Sequence, residues 1–145
     1  MTAHVEGAAA RSVTFQVRLV DATVFDARTE VDRNGMAKVE FRMSEPKLWY
    51  PHGCGGQPLY EITATVSGRE VNLHSITRKI GFRKGELVQV PDEIGKSFYF
   101  RINGIDVFCG GSDWIPADSF TPRVSAERYR KWLEMMVDGY QVMIR

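Results

Sequence analysis

Two stretches of this 145-residue chain carry side chains whose type and spacing suit chemistry. The first is Leu48-Trp49-Tyr50-Pro51-His52-Gly53-Cys54-Gly55-Gly56-Gln57-Pro58-Leu59-Tyr60, which combines an aromatic pair with a high density of proline and glycine. Trp49 and Tyr50 could offer their ring faces to the C–H face of a sugar. The same composition equally describes a fixed turn that plugs a β-structure or packs between domains. His52 and Cys54 are an isolated i,i+2 pair without a second ligand cluster, so metal or thiol chemistry is unsupported. The second stretch is Gly110-Gly111-Ser112-Asp113-Trp114-Ile115-Pro116-Ala117-Asp118. If Trp114 ends a strand and Asp118 lies in the loop after it, the carboxylate can accept hydrogen bonds from sugar hydroxyls and the indole can form an apolar wall. The structural alternative has Asp118 capping the Ser119-Phe120 turn and Trp114 packed inside the fold.

The remaining candidates are weaker. His4 and His74 stand alone, Ser112 is outside any Gly-x-Ser-x-Gly elbow, and Gly104, Gly110 and Gly111 do not form a dinucleotide fingerprint. Hydrolysis of a glycoside needs two carboxyl groups about 5 to 10 Å apart. Glu127 and Glu134 sit on the solvated side of a helix, and Asp113 and Asp118 are too close in sequence to make a convincing pair. No catalytic residue and no metal ligand is assigned.

The elements that must position these residues are mostly strands. Val13, Phe15, Val17 and Leu19 alternate with Thr14, Gln16 and Arg18, the period-two pattern of a half-buried strand. A second strand-like run over 23–31 leads to Asn34-Gly35, a hairpin signal, and Ala37, Val39, Phe41 and Met43 follow with the same alternation. Tyr60, Ile62, Ala64 and Val66 alternate next, with shorter strands expected over 70–76, 78–82 and 86–90. Strands at roughly ten-residue spacing, each with one polar face, predict an antiparallel β-sandwich of immunoglobulin-like size over 11–91, without the Cys…Trp…Cys spacing of antibody domains. The charged turn Pro91 to Lys96 marks the expected boundary.

Beyond it the pattern changes. Phe98 to Ile102, Asn103-Gly104 and Ile105 to Phe108 predict a hairpin. Ser125 is placed to cap a helix in which Tyr129, Trp132, Leu133, Met136 and Val137 form one buried stripe, with Glu127–Lys131 and Arg130–Glu134 as outer i,i+4 pairs and Gly139 at the end. Residues 141–145 open another strand. Strand, helix and strand within about 35 residues is a βαβ unit with parallel strands. Such strands are stable almost only in larger sheets, so residues 92–145 read as the incomplete opening of an α/β domain.

Composition narrows the classes further. With 19 Lys plus Arg against 18 Asp plus Glu, the net charge is +1 and no basic cluster stands out, so nucleic acid is not an expected partner. No long apolar run and no secretion signal are visible, which predicts a soluble, cytoplasmic chain with no membrane partner. Cys54 and Cys109 read as free, buried thiols.

Five blocks together carry a resemblance: Lys47 to Tyr60, Ile80-Gly-Phe-Arg83, Phe98-Tyr-Phe-Arg-Ile-Asn-Gly104, Trp114-Ile-Pro-Ala-Asp-Ser-Phe120 and Glu127-Arg-Tyr-Arg-Lys-Trp-Leu133. Over about residues 40 to 145 the chain resembles the β-mannosidases of glycoside hydrolase family two, most closely the intracellular fungal type. The resemblance implies an immunoglobulin-like sandwich followed by the first hairpin, strand one, helix one and the start of strand two of a (β/α)₈ barrel. It implies a retaining exo-hydrolase for terminal β-D-mannose, with β-mannoside oligosaccharides as the complete parent's substrates and no cofactor. In that family both catalytic glutamates lie on later barrel strands, so this chain alone is expected to be inactive. Trp114 and Asp118 are similar to residues of the barrel-strand-one motif, the Asp to one lining the terminal-mannose subsite. Arg145 matches the arginine before a Trp-Gly-Gly run. Asp113 stands where a smaller or neutral residue is expected. Docking to the missing barrel or jelly-roll portions is the partner role implied. From a different class, the alternative is a free-standing β-sandwich interaction module without catalysis.

Overall fold

The computed structural model describes residues 1–7, 10–69 and 71–145. Its chain forms two compact units: Met1–Lys47 with Pro58–Phe82, and Leu48–Gln57 with Arg83–Arg145. The protein is mostly β, with antiparallel sheets as expected for a sandwich.

The first unit contains β1 (Thr2–His4), β2 (Ser12–Leu19), β3 (Ala22–Glu30), β4 (Met36–Lys38), β5 (Tyr60–Ser67) and β6 (Asn72–Ile80). One sheet runs β3-β2-β5-β6 and the other pairs β1 with β4, all antiparallel. The alternation in β2 explains the layering. Val13, Phe15 and Val17 are buried and stand opposite Val66, Ala64 and Ile62 of β5. Val13, Phe15 and Ala37 form the core, with Met1, Ala3, Val5, Val31, Val39, Ala64 and Val66 packed around them. Hydroxyl and amide rungs line the other face: Thr63–Thr77 at 2.9 Å, Thr65–Ser75 at 3.1 Å and Gln16 donating to Asp26 at 2.9 Å. One apolar and one polar face is the half-buried antiparallel pattern.

Three expectations change here. Asn34-Gly35 does not close a hairpin between β3 and β4. Asp32 Oδ1 accepts the N–H groups of Asn34 and Met36, each at 2.8 Å, and the chain crosses to the other sheet. Ala37 then lies opposite Ala3, so the crossing covers the Val13 and Phe15 side chains with a second layer. The strand expected over 37–43 is only β4, and Phe41 beyond it stacks on Phe25 with ring centroids 4.4 Å apart. The two strands expected over 70–76 and 78–82 are one, β6; the expected starting residue Glu70 lies outside the described residues, as do Ala8 and Ala9.

In the second unit, β7 (Gly85–Val88), β8 (Tyr99–Ile102) and β9 (Ile105–Val107) form an antiparallel sheet. Asn103 (φ 51°) and Gly104 (φ 84°) make the expected β8–β9 turn, both left-handed as a two-residue hairpin requires. The boundary expected at residue 92 falls inside this unit. Pro91 to Lys96 is the loop between β7 and β8, because Gly85–Val88 pairs along Ile102–Tyr99.

The strand–helix–strand segment follows: β10 (Gly111–Ser112), α1 (Ala126–Asp138) and β11 (Met143–Ile144), with β10 and β11 parallel. The Ser125 side chain accepts the Arg128 N–H, the N-cap read from the sequence. At the other end Gly139 is the C-cap itself, and the residue in the left-handed region is Tyr140, φ 57°. The helix stripe is not buried: Tyr129, Trp132 and Met136 are half-buried, while Leu133 and Val137 are 48% and 46% exposed. Neither Glu127–Lys131 nor Arg130–Glu134 closes to an ion pair, since exposed pairs gain little against hydration. Cys54 and Cys109 are free as expected but half-buried, because each lies at the edge of a loop or strand rather than in a core. No helix among the described residues is long and apolar enough to cross a membrane.

Candidate functional site

The carboxyl ends of β10 and β11 gather the sequence candidates of the second stretch. Parallel pairing puts Gly111 opposite Met143 and Ser112 opposite Ile144, so Asp113 and Arg145 emerge side by side from adjacent strands. The pairing extends beyond the strands: the Trp114 N–H donates to Arg145 O at 2.7 Å and the Arg145 N–H to Ser112 O at 3.2 Å. Arg145 grips Asp113 in a two-pronged ion pair, Nε to Oδ1 at 3.0 Å and a terminal nitrogen to Oδ2 at 3.2 Å. That pair was not read from the sequence, which placed Asp113 and Arg145 in separate motifs. The signal was available in the parallel register of the βαβ unit, which aligns residues just past each strand.

Trp114 is half-buried. Its indole stacks on Tyr129 at 5.7 Å and meets Trp132 edge-on at 5.7 Å, so α1 holds it. Asp118 is half-buried too, and its Oδ1 accepts the Phe120 N–H at 2.8 Å. The turn thus occupies one oxygen, and Oδ2 makes no hydrogen bond among the described residues. The arrangement offers an orientable hydroxyl acceptor, a clamped guanidinium and an aromatic surface. Carboxyls held below the usual range lie elsewhere: Glu40 beside Lys38 and Asp106 beside Arg101, each lowered first by the side-chain hydrogen bond from its cationic partner. Among the described residues no group of three His, Cys, Asp or Glu side chains could hold a metal ion.

The aromatic loop at 48–57 is a closed turn. The Tyr50 N–H donates to Gly56 O at 2.9 Å, the Gln57 side-chain amide donates to Tyr50 O at 3.1 Å, and a Cβ on Gly55 would stand 2.9 Å from the Tyr50 ring. Arg83 lies over the Trp49 ring at 5.1 Å. Asn103, the β8–β9 turn residue, donates through its side chain to Trp49 O at 2.9 Å and accepts the Lys84 N–H at 2.8 Å. This bracing role for Asn103 was hidden behind its turn role in the sequence. His4 and His74 belong to the first unit. His52 tilts against Tyr140 with centroids 6.4 Å apart.

Comparison with known proteins adds what geometry alone does not. The sequence model of Glycosyl hydrolases family 2 matches residues 2–83. The chain is 54% identical over 144 residues to Beta-mannosidase B of Aspergillus terreus, covering 99% of this chain and 17% of that protein. It is 56% identical over 113 residues to Beta-mannosidase B of Aspergillus niger, covering 78% and 13%. Among solved structures it resembles the β-D-mannosidase from Dictyoglomus thermophilum, with a TM-score of 0.84 and 35% identity over 92% of this chain and 17% of that one. It also shares a fold with the Amycolatopsis orientalis exo-chitosanase CsxA, TM-score 0.72 at 19% identity, covering 99% of this chain and 17% of that one. The chain therefore spans less than a fifth of the length of the relatives it matches.

Proposed function

Since the chain belongs to glycosyl hydrolases family 2, we propose that it is part of a β-mannosidase that removes terminal, non-reducing β-D-mannose residues with retention. The observation that carries this is the 54% identity to Beta-mannosidase B along 99% of the chain. In this proposal the first unit is an immunoglobulin-like sandwich. The segment β10–α1–β11 is the first βα unit of a (β/α)₈ barrel and the start of its second strand. Ligands then bind at the carboxyl ends of the strands, where Asp113, Trp114, Asp118 and Arg145 stand.

The division of labour follows from the chemistry. A retaining mechanism needs one carboxyl to protonate the leaving oxygen and another, about 5 to 5.5 Å away, to attack the anomeric carbon. Asp113 is neutralised by Arg145, and Asp118 is partly committed to its turn. Asp118 Oδ2 instead accepts a hydroxyl hydrogen of the terminal sugar, and both catalytic carboxylates come from residues outside these 145. The chain alone does not turn over substrate.

Two measurements test this. Purified residues 1–145 should release no phenol from an aryl β-mannoside, and hydrolysis that survives both Asp113→Ala and Asp118→Ala would overturn the division of labour. Intact mass of the native polypeptide from its source, with peptides from Phe98 to Arg130 as markers, should exceed the mass of this chain several-fold. A native mass equal to that of the 145-residue chain would refute the assignment to a larger hydrolase.

A further inference from the structure

The chain holds two Asn-Gly pairs, Asn34-Gly35 and Asn103-Gly104. In such a pair the glycine nitrogen, with no side chain beside it, can reach the amide carbon of the preceding asparagine. The fold treats the two pairs differently. The Asn103 amide is half-buried and held at both ends, Nδ2 donating to Trp49 O at 2.9 Å and Oδ1 accepting the Lys84 N–H at 2.8 Å, in a turn pinned between the paired strands β8 and β9. Asn34 is exposed, and its side-chain amide makes no hydrogen bond among the described residues. Backbone bonds to Asp32 restrain this pair: Asn34 N–H to Oδ1 at 2.8 Å and Gly35 N–H to the carbonyl oxygen at 3.1 Å. The glycine itself is imposed by the fold. Gly35 stands at φ 75°, and a Cβ there would lie 2.6 Å from Val5 O, so the position requires the residue that leaves its nitrogen unshielded.

We infer that Asn34 is a site of spontaneous deamidation and isomerisation in the folded protein, and that the fold protects Asn103. The Gly35 nitrogen gives its proton to solvent and bonds to Asn34 Cγ, the Cγ–Nδ2 bond breaks, and the departing nitrogen takes up a proton and leaves as ammonia. Water then opens the resulting cyclic imide, at Cγ to give aspartate or at the backbone carbonyl carbon to give isoaspartate. No oxidation or reduction occurs, and water is the co-reactant. Isoaspartate routes the main chain through Cβ and Cγ, one carbon longer than before. The insertion falls between the two N–H groups that Asp32 Oδ1 accepts and just ahead of Gly35 O, which accepts the Val5 N–H at 2.8 Å. Ala3 pairs with Ala37 beside this contact, so isomerisation loosens the layer that covers Val13 and Phe15. This inference is independent of the hydrolase assignment.

The test incubates the full chain at neutral pH and follows two peptides by mass spectrometry, 31–40 from cleavage after glutamate and 102–123 from cleavage after arginine, with electron-transfer fragmentation separating aspartate from isoaspartate. Asn34 should convert on the order of tenfold faster than Asn103, because two side-chain hydrogen bonds must break at the latter before ring closure. In urea the two rates should converge. Equal rates in the folded chain would overturn the proposal, and so would a difference that persists in urea, since neighbouring sequence rather than the fold would then set it. The isoaspartate form, separated by ion exchange, should exchange its Val5 and Met36 amides faster than the unmodified chain. Asn34→Gln, whose longer side chain closes a ring slowly, should keep both its mass at 31–40 and its protection at Val5 through the same incubation. Unchanged Val5 exchange in the isoaspartate form, or equal loosening in incubated Asn34→Gln, would refute the link to the covering layer.

Discussion

Replacing Gly111 by Ala should open the junction between β10 and β11. The added methyl would stand 1.8 Å from the Met143 carbonyl oxygen, where real Cβ contacts are essentially never under 3.0 Å. The obstacle is backbone rather than a flexible side-chain end, so the strands must part by roughly 1.2 Å. Hydrogen bonds from Trp114 N–H to Arg145 O at 2.7 Å and from Val142 N–H to Gly110 O at 2.8 Å then stretch beyond useful range, and the 3.2 Å bond from Arg145 N–H to Ser112 O goes with them. Each contributes a net of about 0.5 to 1.5 kcal/mol, and exposure favours the lower half, so the loss is about 1.5 to 3 kcal/mol. The exposed Asp113–Arg145 pair adds little in solution. Hydrogen exchange read by NMR at the Trp114, Val142 and Arg145 amides should accelerate on the order of 10- to 150-fold. Gly95→Ala is the control, because nothing lies within 4 Å of its added methyl. Unchanged exchange at Trp114 and Val142 in the Gly111 variant would refute both the close approach and the parallel pairing inferred from it.

Other perturbations follow from single contacts. Val20 is a β-branched residue at φ 54° and 78% exposed in the β2–β3 turn. Val20→Gly should remove about 1 to 2 kcal/mol of left-handed strain against about 0.5 to 1 kcal/mol of added chain entropy, raising the first unit's thermal midpoint by a few degrees; a lowered midpoint would contradict it. Tyr60 is 1% exposed and its hydroxyl accepts the Lys47 N–H at 2.8 Å, so Tyr60→Phe should cost about 1 kcal/mol in urea denaturation, and no change would mean the bond does not form. Arg101 holds the Asp106 carboxyl below its usual range by hydrogen bonding. Its contribution to the β8–β9 hairpin should be complete above the ordinary carboxylate pKa and should vanish as pH falls through the lowered value. Amide exchange in the hairpin should show that acid sensitivity, and Asp106→Asn should abolish it; sensitivity retained by the variant would place its origin elsewhere.

Local patterns were legible where one residue's neighbours in sequence are also its neighbours in space. The alternation of Val13, Phe15 and Val17, the Asn103-Gly104 turn and the Ser125 cap are of this kind, and each stands where its spacing puts it. Asn34-Gly35 failed as a hairpin because dipeptide chemistry specifies a turn but not which sheet the chain enters next; Asp32 and the uncovered face of β2 decided that. The α1 stripe is periodic as read, yet burial depends on a partner surface that periodicity does not supply, and Leu133 and Val137 remain exposed.

The candidate site divides in the same way. Trp114 and Asp118 were candidates by residue type alone, whereas the surroundings of this segment come from elements distant in sequence: Tyr129 and Trp132 of α1 hold the indole, and Asp113 is matched by Arg145 from the far side of the helix. A parallel strand pair brings together residues about thirty positions apart, just past the two strand ends, and every further strand added to such a sheet would contribute another loop to the same rim. Carboxylates for a double displacement must approach a sugar from separate directions, which a single βα loop cannot provide. In the proposed reading, the connection over residues 113–125 between β10 and α1 orients a hydroxyl or an arginine, and acid and nucleophile arrive on other strands.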